Sequence, residues 1–240
     1  MTQIDEPQEP ISAIFLSEYL LELNEGAGFL DRLTDEERKE VYRLGTRATF
    51  AKGDGLFFQG DSHTGIWLIE SGRVRTFYTA PTGREITLAY WSAGHFAGGP
   101  EVFGRGRHVW SADALEDCSA LFLSGMSLQR LVSQVPNVAF AVIDGLIAKG
   151  KCYSALIQML GTRSVSERLR QLLLILADTQ GRHESAGIVI ERTITYEQIA
   201  TIVGATRQWV TQSLEKMQSE NVLQITRREI IIDNLKYLES

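Results

Sequence analysis

The feature of this sequence that most constrains its fold is a pair of amphipathic segments separated by one glycine, within residues 195–217. A Thr-x-x-Gln capping box is predicted to begin the first helix of the pair. Three positions are restricted: Ala200 is small where two helices cross closely, Gly204 permits a left-handed turn, and Val210 is apolar on the inner face. This spacing predicts a helix-turn-helix.

The second helix of the pair carries polar side chains on the outward face of its first turns. An arginine can bond guanine O6 and N7 together, and a glutamine can bond adenine N6 and N7, when these turns enter the major groove. A basic turn between two short strand-like runs follows and predicts a wing. A merely solvated polar face is the alternative, which the capping and the basic wing disfavour. The predicted DNA contacts are Thr206, Arg207, Gln208, Thr211, Gln212, Arg227 and Arg228.

The chain of 240 residues has a formal net charge of -6, which argues against a broad, non-specific grip on phosphates. Net charge describes the whole surface, so it leaves room for DNA binding through a local patch. Backbone N–H groups at the start of a recognition helix add phosphate contacts without any positive charge. Double-stranded DNA is therefore the expected partner.

Residues 47–123 show a different pattern, in which short β-rich runs alternate with glycine-bearing turns. Strands are expected at about 65–70, 74–78, 86–90 and 118–123. Many short strands with regular turn signals are typical of a double-sheet β-roll or barrel.

A long helix is predicted after Pro136, with apolar, aromatic or small residues at steps of four and three from Ala139. Such a stripe can pack on the helix's own core, but its length between two domains favours a symmetric helix-to-helix dimer. Gly161 and Thr162 interrupt the pattern and mark the expected hinge. The predicted dimer interface comprises Ile143, Leu146, Gly150, Tyr153, Ile157 and Leu160.

Other features exclude several classes of protein. No apolar stretch reaches about 18 residues, and the N-terminus is acidic where a secretory signal would be basic, so a cytoplasmic protein without membrane contact is expected. The two cysteines, Cys118 and Cys152, are interpreted as reduced thiols. No metal-ligand spacing, nucleophile elbow or P-loop occurs, so no catalytic or metal-binding residue is predicted. A short helix is expected in the N-terminal extension, 1–26.

Five sequence elements, in this order, resemble the Crp/Fnr superfamily of transcription regulators. They are Gln-Gly-Asp at 59–61, Ile-Glu-Ser-Gly-Arg-Val at 69–74, Ala-Leu-Glu-Asp at 114–117, the long helix, and Gly-Ala-Thr-Arg at 204–207. The resemblance implies an α+β fold with an N-terminal double-stranded, jelly-roll-like β-roll, a long dimerisation helix and a C-terminal winged helix-turn-helix. The expected division is an extension (1–26), a sensor domain (27–135), the dimerisation helix (136–161) and a DNA-binding domain (162–240).

The same resemblance implies a homodimer that binds a palindromic operator under control of a signal sensed in the β-roll, with RNA polymerase as a further partner. Activation is the family-based expectation, and the residues leave repression open. Arg207 stands at the family's guanine-contacting arginine, whereas Gln208 and Gln212 replace a Glu and an Arg. The operator is therefore expected to be a related palindrome with altered bases.

The resemblance also defines an expected effector pocket, and its phosphate-binding cassette is altered. Gly99 stands where members that bind cyclic AMP have a Glu for the ribose, and His108-Val109 stands where they have Arg-Ser for the phosphate. Arg107 is one place away. A buried phosphate without its bidentate arginine loses its main charge partner. The expected lining consists of Tyr90, Trp91, Gly98, Gly99, Arg107, His108, Val109, Tyr153 and Ser154.

An uncharged or weakly acidic effector, or none, is therefore predicted in place of cyclic AMP. An iron–sulfur cluster is disfavoured because the N-terminal cysteine cluster of that branch is missing. Two alternatives within the same fold stay open. One is a DNA binder without an effector, and the other is a haem-based gas or redox sensor using His63, His95 or His108. The sequence leaves the effector unidentified.

Overall fold

The computed structural model describes residues 28–185, 187–192 and 194–239. The helix expected within residues 1–26 lies outside this part of the chain. Within the described residues, no helix is both long and apolar enough to cross a membrane. The fold combines antiparallel sheets and helices in an N-terminal β-roll, a long helix and a C-terminal winged helix-turn-helix, which confirms the predicted α+β class.

The β-roll is built from eight strands that form two four-stranded antiparallel sheets. The strands are β1 (Thr46–Phe50), β2 (Gly55–Phe57), β3 (Gly65–Ser71), β4 (Val74–Thr79), β5 (Glu85–Trp91), β6 (Phe96–Ala97), β7 (Ser111–Ala114) and β8 (Cys118–Ser124). One sheet has the order β1-β8-β3-β6 and the other has the order β2-β7-β4-β5. The four strands predicted from the alternating pattern are confirmed to within about two residues at each end.

Three helices flank or leave the roll: α1 (Asp35–Leu44), α2 (Gly125–Gln134) and α3 (Pro136–Thr162). Helix α1 begins at a capping box, in which the Thr34 hydroxyl accepts the Glu37 N–H and the Glu37 carboxylate accepts the Thr34 N–H. One face of α3 packs on the roll. At Gly145 an added Cβ would lie 2.3 Å from the Phe96 ring, so glycine is what lets that ring approach the helix.

The C-terminal domain packs helices on a four-stranded antiparallel sheet. Its strands are β9 (Gly181–Glu184), β10 (Gly187–Glu191), β11 (Leu223–Ile225) and β12 (Glu229–Ile232), and their order in the sheet is β11-β12-β10-β9. Its helices are α4 (Val165–Gln180), α5 (Tyr196–Val203), α6 (Arg207–Ser219) and α7 (Leu235–Glu239). The predicted inner residues Ile199, Ala200, Val210, Leu214 and Met217 are all buried in one apolar cluster.

The β-roll contacts the C-terminal domain through strand β5. The β4–β5 pairing contains a bulge, because Thr76 pairs with Ala89 whereas the next residue, Phe77, pairs with Thr87. A bulge bends the strand in which it occurs. The Thr87 hydroxyl donates to the Thr201 hydroxyl at 3.1 Å, and both side chains are buried. Arg84, which immediately precedes β5, donates a hydrogen bond to the Gly204 carbonyl in the helix-turn-helix. The sensor roll therefore contacts the turn between α5 and α6 directly.

Candidate DNA interface and sensor site

The turn between α5 and α6 has the geometry that its sequence predicts. Helix α5 begins at a capping box between Thr195 and Gln198 and ends at Gly204, whose φ of 65° lies in the left-handed region. The Thr206 hydroxyl accepts the Trp209 N–H at 3.2 Å and so caps α6. Both caps satisfy backbone donors that would otherwise lack partners. The start of α6 is thereby held in one orientation before any ligand is present.

The outward face of α6 carries most of the predicted contact residues. Arg207, Gln208 and Gln212 are exposed, as are Arg227 and Arg228 in the β11–β12 turn. Thr211 differs, because it is half-buried and its hydroxyl donates to the Arg207 carbonyl at 3.0 Å. Its methyl and hydroxyl groups are therefore partly occupied within the helix itself.

A cleft of about 490 Å³ separates α5, α6 and the wing, and arginines line it. Arg207 and Arg227, two of the predicted DNA contacts, line it together with Arg192 and the acidic Glu197. The Arg192 guanidinium lies 4.7 Å from the centre of the Tyr196 ring and donates to the Thr226 carbonyl at 3.3 Å. Three guanidinium groups around one cleft favour a polyanion such as the DNA backbone.

Arg192 was missed by the sequence analysis. It follows β10, and β10 pairs with β12 in the register Glu191↔Glu229. That pairing brings Arg192 beside the wing turn, where Thr226 accepts the N–H groups of Arg228 and Glu229. A basic residue at the end of a short strand was the only available signal, because the sheet register is needed to place it.

The interior of the β-roll contains a buried lysine that the sequence analysis did not identify. Lys149 is only 5% exposed and projects from the inner face of α3. Its Nζ donates to the Phe96 carbonyl at 2.6 Å and lies 3.7 Å from the centre of the Trp91 ring. Burial lowers the pKa of Lys149 to about 7, and the nearby Cys152 partly opposes this shift.

Two histidines stack at the mouth of the altered cassette. The His63 and His108 rings lie 4.2 Å apart, and Phe57 stacks on the other face of His108 at 3.9 Å. The Gly99 N–H donates to His63 Nε2 at 2.8 Å. Burial and the neighbouring His63 lower the pKa of His108 to about 4, and burial lowers that of His63 as well. Both rings are therefore neutral near pH 7.

Four buried side-chain atoms of the described residues make no hydrogen bond of normal geometry, and all four lie in the sensor, although Thr76 lies close enough to the Tyr153 hydroxyl to oppose part of the rise that burial causes in its pKa. They are His63 Nδ1, His108 Nδ1, Trp110 Nε1 and Tyr153 Oη. The Trp110 and Tyr153 rings meet edge to face at 5.5 Å, and both pack on the apolar cluster that contains Phe57 and Trp91. Unpaired buried polar groups are rare and costly, and they concentrate where a ligand or water completes the site.

The structure places the nine predicted pocket residues in two groups, and their role as an effector lining stays a prediction. Trp91, Gly98, Gly99, His108 and the Tyr153 hydroxyl are buried within the roll. The other four predicted residues lie elsewhere, at Tyr90, Arg107, Val109 and Ser154. Side chains alternate along a strand, so Tyr90 faces the core of the C-terminal domain while Trp91 faces the sensor interior.

The remaining three residues are exposed. Arg107 extends over the surface and donates to the Gly60 carbonyl at 2.6 Å, so it is not the buried cation that would replace the missing cassette arginine. Val109 is 51% exposed. Ser154 lies on the outer face of α3.

The residues of the predicted dimer seam divide into inward-facing and exposed ones, and the interface itself stays a prediction. Leu146, Tyr153 and Leu160 pack on the chain's own clusters because the inner face of α3 takes part in both domain cores. Ile143, Gly150 and Ile157 are exposed as expected. The exposed stripe with steps of three and four, hereafter the outer seam, consists of Phe140, Ile143, Ile147, Gly150, Ser154 and Ile157.

The remaining sensor side chains that could bind a metal or a haem are packed within the domain. Cys118 and Cys152 are buried and are not joined by a disulfide, and burial raises the pKa of both thiols. His95 is buried beside the Trp91 ring, and its Nδ1 lies 3.3 Å from the Ser92 carbonyl oxygen. Across the described residues, no group of three or more His, Cys, Asp or Glu side chains is placed to hold a metal ion.

These elements define a class of protein: a two-domain regulator in which a β-roll sensor is joined by a long helix to a winged helix-turn-helix. Residues 47–135 match the family model of the cyclic nucleotide-binding domain, and residues 167–240 match that of the Crp-like helix-turn-helix domain. Together these matches cover more than half of the chain. The chain belongs to the Crp/Fnr family of transcription regulators.

Individual relatives agree with this assignment. The chain is 25% identical over 194 residues to the global nitrogen regulator of Synechocystis sp., covering 78% of this chain and 84% of the relative. It is 26% identical over 200 residues to the cyclic AMP receptor protein of Thermus thermophilus, covering 83% of this chain and 89% of that relative. The fold is similar to that of the c-di-GMP-responsive global regulator CLP of Xanthomonas campestris, with a TM-score of 0.73, 18% identity and coverage of 83% and 99%. The chain is thus a DNA-binding regulator and not an enzyme.

Proposed function

We propose that the chain binds a palindromic operator as a homodimer, under the control of a signal sensed within the β-roll. The observation that carries this proposal is the capped helix α6, whose exposed Arg207, Gln208 and Gln212 stand beside the exposed wing arginines. Residues 27–135 act as the sensor, 136–161 as the dimerisation helix and 162–240 as the DNA-binding unit. Contact with RNA polymerase, and hence activation, belongs to the same proposal.

The outer seam supports the dimer. Ile143 and Ile157 are 48% and 70% exposed, and Phe140 and Ile147 add two further large apolar side chains along the same line. Apolar residues spaced at three and four positions on a helix surface match the seam of a two-helix coiled coil. A two-fold axis along α3 would cover the same patch on both copies. The exposed Gly150 lets the two backbones approach closely.

Charge introduced into the outer seam tests this dimer. Ile147→Glu should give a monomer in sedimentation, because the interface would then bury an unpaired carboxylate. Met126→Glu is the matched control, since Met126 is 81% exposed on α2 and lies away from the seam. Leu146 is unsuitable for this purpose because it packs in the core of its own chain. A dimer that survives Ile147→Glu places the interface elsewhere.

The operator itself is tested by selection from random DNA duplexes. The selected sites should be palindromes whose half-sites lie about one helical turn apart, centre to centre. The Ile147→Glu monomer should lose this two-fold pattern. Selection of a single asymmetric half-site by the wild-type protein would contradict the homodimer.

The signal is proposed to be a small molecule other than cyclic AMP. Support comes from the cassette, in which Arg107 is exposed and neutral histidines occupy the interior. Calorimetry with cyclic AMP and cyclic GMP should detect no binding, and micromolar affinity lost in Arg107→Ala would overturn this part. A regulator without an effector is the competing case. Thermal stabilisation by a small molecule distinguishes the two, because a ligand of the folded state raises its stability.

A further inference from the structure

The further inference rests on the proposed effector control and concerns the chemistry of the effector. It begins with Lys149, which is buried within the roll on a helix proposed to form the dimer. An ammonium group has three N–H donors, and one of them meets the Phe96 carbonyl. The Trp91 face supplies a cation–π contact at 3.7 Å. Among the described residues Lys149 forms no ion pair with a carboxylate, and Cys152 only partly opposes the lowering of its pKa by burial.

The unpaired atoms around the same apolar cluster are predominantly donors. His63 Nε2 accepts a hydrogen bond from Gly99, so in the neutral ring the proton lies on Nδ1, which is then an unpaired N–H donor. Trp110 Nε1 can only donate. Burial raises the pKa of the Tyr153 phenol, so its hydroxyl keeps its proton. The buried polar side chains of the described sensor residues include no carboxylate, and the exposed Glu101 and Asp61 act on His63 and His108 from outside this buried set.

The rest of the surroundings is aromatic. Trp91 and Phe96 lie against the Lys149 ammonium, and Trp110 and Tyr153 lie against each other on the apolar cluster that contains Trp91. Lys149 and Tyr153 lie one turn apart on α3, which is about 6 Å along the helix axis. A ligand that spans this distance would contact both the ammonium group and the phenol. The complementary molecule is therefore flat, bears acceptor oxygens and carries a single negative charge.

We propose that the sensor binds a compact aromatic carboxylate, with the carboxylate paired to the Lys149 ammonium and the ring placed among the aromatic side chains. A hydrogen bond between the ammonium and a carboxylate, in which both partners are ionised, is stronger than the bond that the ammonium makes to the uncharged Phe96 carbonyl. Pairing with the ligand therefore competes with that contact. Because Lys149 projects from α3, its new partner changes how α3 sits on the roll. The ligand would act through a different affinity for two positions of α3, one with and one without the bond from Lys149 to the Phe96 carbonyl.

The test uses three probes that separate charge from shape. Benzoate has the charge and the flat ring, benzamide has the same shape without the charge, and cyclohexanecarboxylate has the charge without the flat ring. Binding to the full-length protein is measured by calorimetry and by the shift in unfolding temperature. Benzoate should bind roughly ten- to a hundredfold more tightly than benzamide, as expected for a hydrogen bond to a charged group. Cyclohexanecarboxylate should bind more weakly than benzoate.

Two variants assign the preference to one side chain. Lys149→Met keeps the length of the side chain and removes its charge, so benzoate and benzamide should then bind equally. Lys151→Met is the matched control on the exposed face of the same helix and should keep the wild-type preference. An unchanged unfolding temperature or a higher one shows that Lys149→Met is folded.

Several outcomes overturn the inference. They are equal affinity of the wild type for benzoate and benzamide, benzoate preference retained in Lys149→Met, and no benzoate binding up to its solubility limit. None of these outcomes touches the proposed DNA function, because operator selection is carried out without any probe. Loss of a palindromic operator would instead remove the proposed function while leaving the binding data intact.

Discussion

The face proposed to contact DNA and the sensor interior are built in opposite ways. In the C-terminal domain the helix starts are capped, and Arg168, a buried arginine, donates to the carbonyls of Val203 and Arg163 at 2.8 and 2.9 Å. The residues proposed to contact DNA stand outside this satisfied core. In the sensor, polar groups are buried without partners, and Lys149 has no opposite charge among the described residues.

This difference fits the kind of ligand that each region is proposed to bind. DNA supplies its contacts at the surface, so the reading face can be stable before its partner arrives. A small effector that binds inside the roll is enclosed by it, so the polar groups that contact the effector are already buried in the folded chain. Burying these groups without partners lowers the free energy of unfolding. The sensor should therefore gain stability when a polar group is removed, whereas the DNA face should lose only affinity.

The largest expected effect is on the pH dependence of stability in Lys149→Met. The pKa of Lys149 falls from 10.5 to about 7 on folding, so between these values the unfolded chain binds a proton that the folded chain lacks. Stability therefore rises with pH across this window, and the penalty is fully present below about pH 7. Removing the amine should stabilise the protein by up to about 4 kcal/mol near pH 6, with a gain that vanishes as the pH approaches about 10.

Denaturant unfolding at several pH values measures this gain, with Lys151→Met as the exposed control. Lys151→Met should leave the unfolding free energy nearly unchanged throughout. If the unfolding free energy of Lys149→Met exceeded that of the wild type by the same amount at all pH values, the gain would come from packing and not from the removal of charge. A loss at low pH would show that Lys149 has a stabilising partner, and the contrast between the two regions would then fail.

The next effect concerns specific DNA binding by the reading face. Arg207→Ala should cost about 1–3 kcal/mol of operator affinity and relax the preference at one G·C pair per half-site, with no loss of folding stability. Arg228→Ala should weaken operator and random DNA alike and flatten the salt dependence, as expected for a phosphate contact. Fluorescence anisotropy with both DNAs separates the two roles. Equal losses on both DNAs in Arg207→Ala would refute its base contact.

A smaller effect is expected at the cap that supports this face. Thr195→Ala removes the acceptor for the Gln198 N–H at 3.2 Å and should lower the unfolding free energy by about 1 kcal/mol. Thr195→Ser keeps the acceptor and should restore most of that loss. Thermal unfolding of the three proteins measures both changes. If serine were as destabilising as alanine, the packing of the threonine methyl would be responsible and not the cap.

The smallest effect tests whether the two regions are docked as one unit. Thr87→Val and Thr201→Val each remove one hydroxyl of the 3.1 Å bond between the sensor and α5. The double-mutant cycle should give a coupling energy of about 0.5–1.5 kcal/mol in the unfolding free energy. A coupling of zero would mean that this hydroxyl pair does not hold the sensor to α5, and it would leave the Arg84 contact and α3 as the links between the two regions.

Much of the fold could be predicted from local patterns. Capping boxes, the turn glycine and the basic wing act over a few residues, so the helix-turn-helix was predicted correctly down to Thr195, Gly204 and Thr206. Short alternating runs placed the main strands of the roll. Even Tyr90 could have been assigned to the opposite face from Trp91, because alternation along a strand is a local rule.

The details of α3 needed the fold. Its apolar residues cover more than one face, so periodicity alone did not separate Leu146, which packs inward, from Ile147, which lies on the outer seam. Two domains pack against the inner side of this helix, and their positions decide which residues stay exposed. Arg192 likewise reached the DNA cleft only through the pairing of β10 with β12.

The sequence by itself determined the elements whose physical cause is local: the helix caps, the turn, the alternating strands and the family-wide order of motifs. Only the tertiary structure decided that Lys149 is enclosed by Trp91 and Phe96 and that the unpaired donors border one aromatic cluster. Whether a lysine is a solvated charge or a buried one depends on what chain segments far away in sequence place around it. Desolvation arises from those distant contacts, and so the sensor chemistry became visible only once the chain was folded.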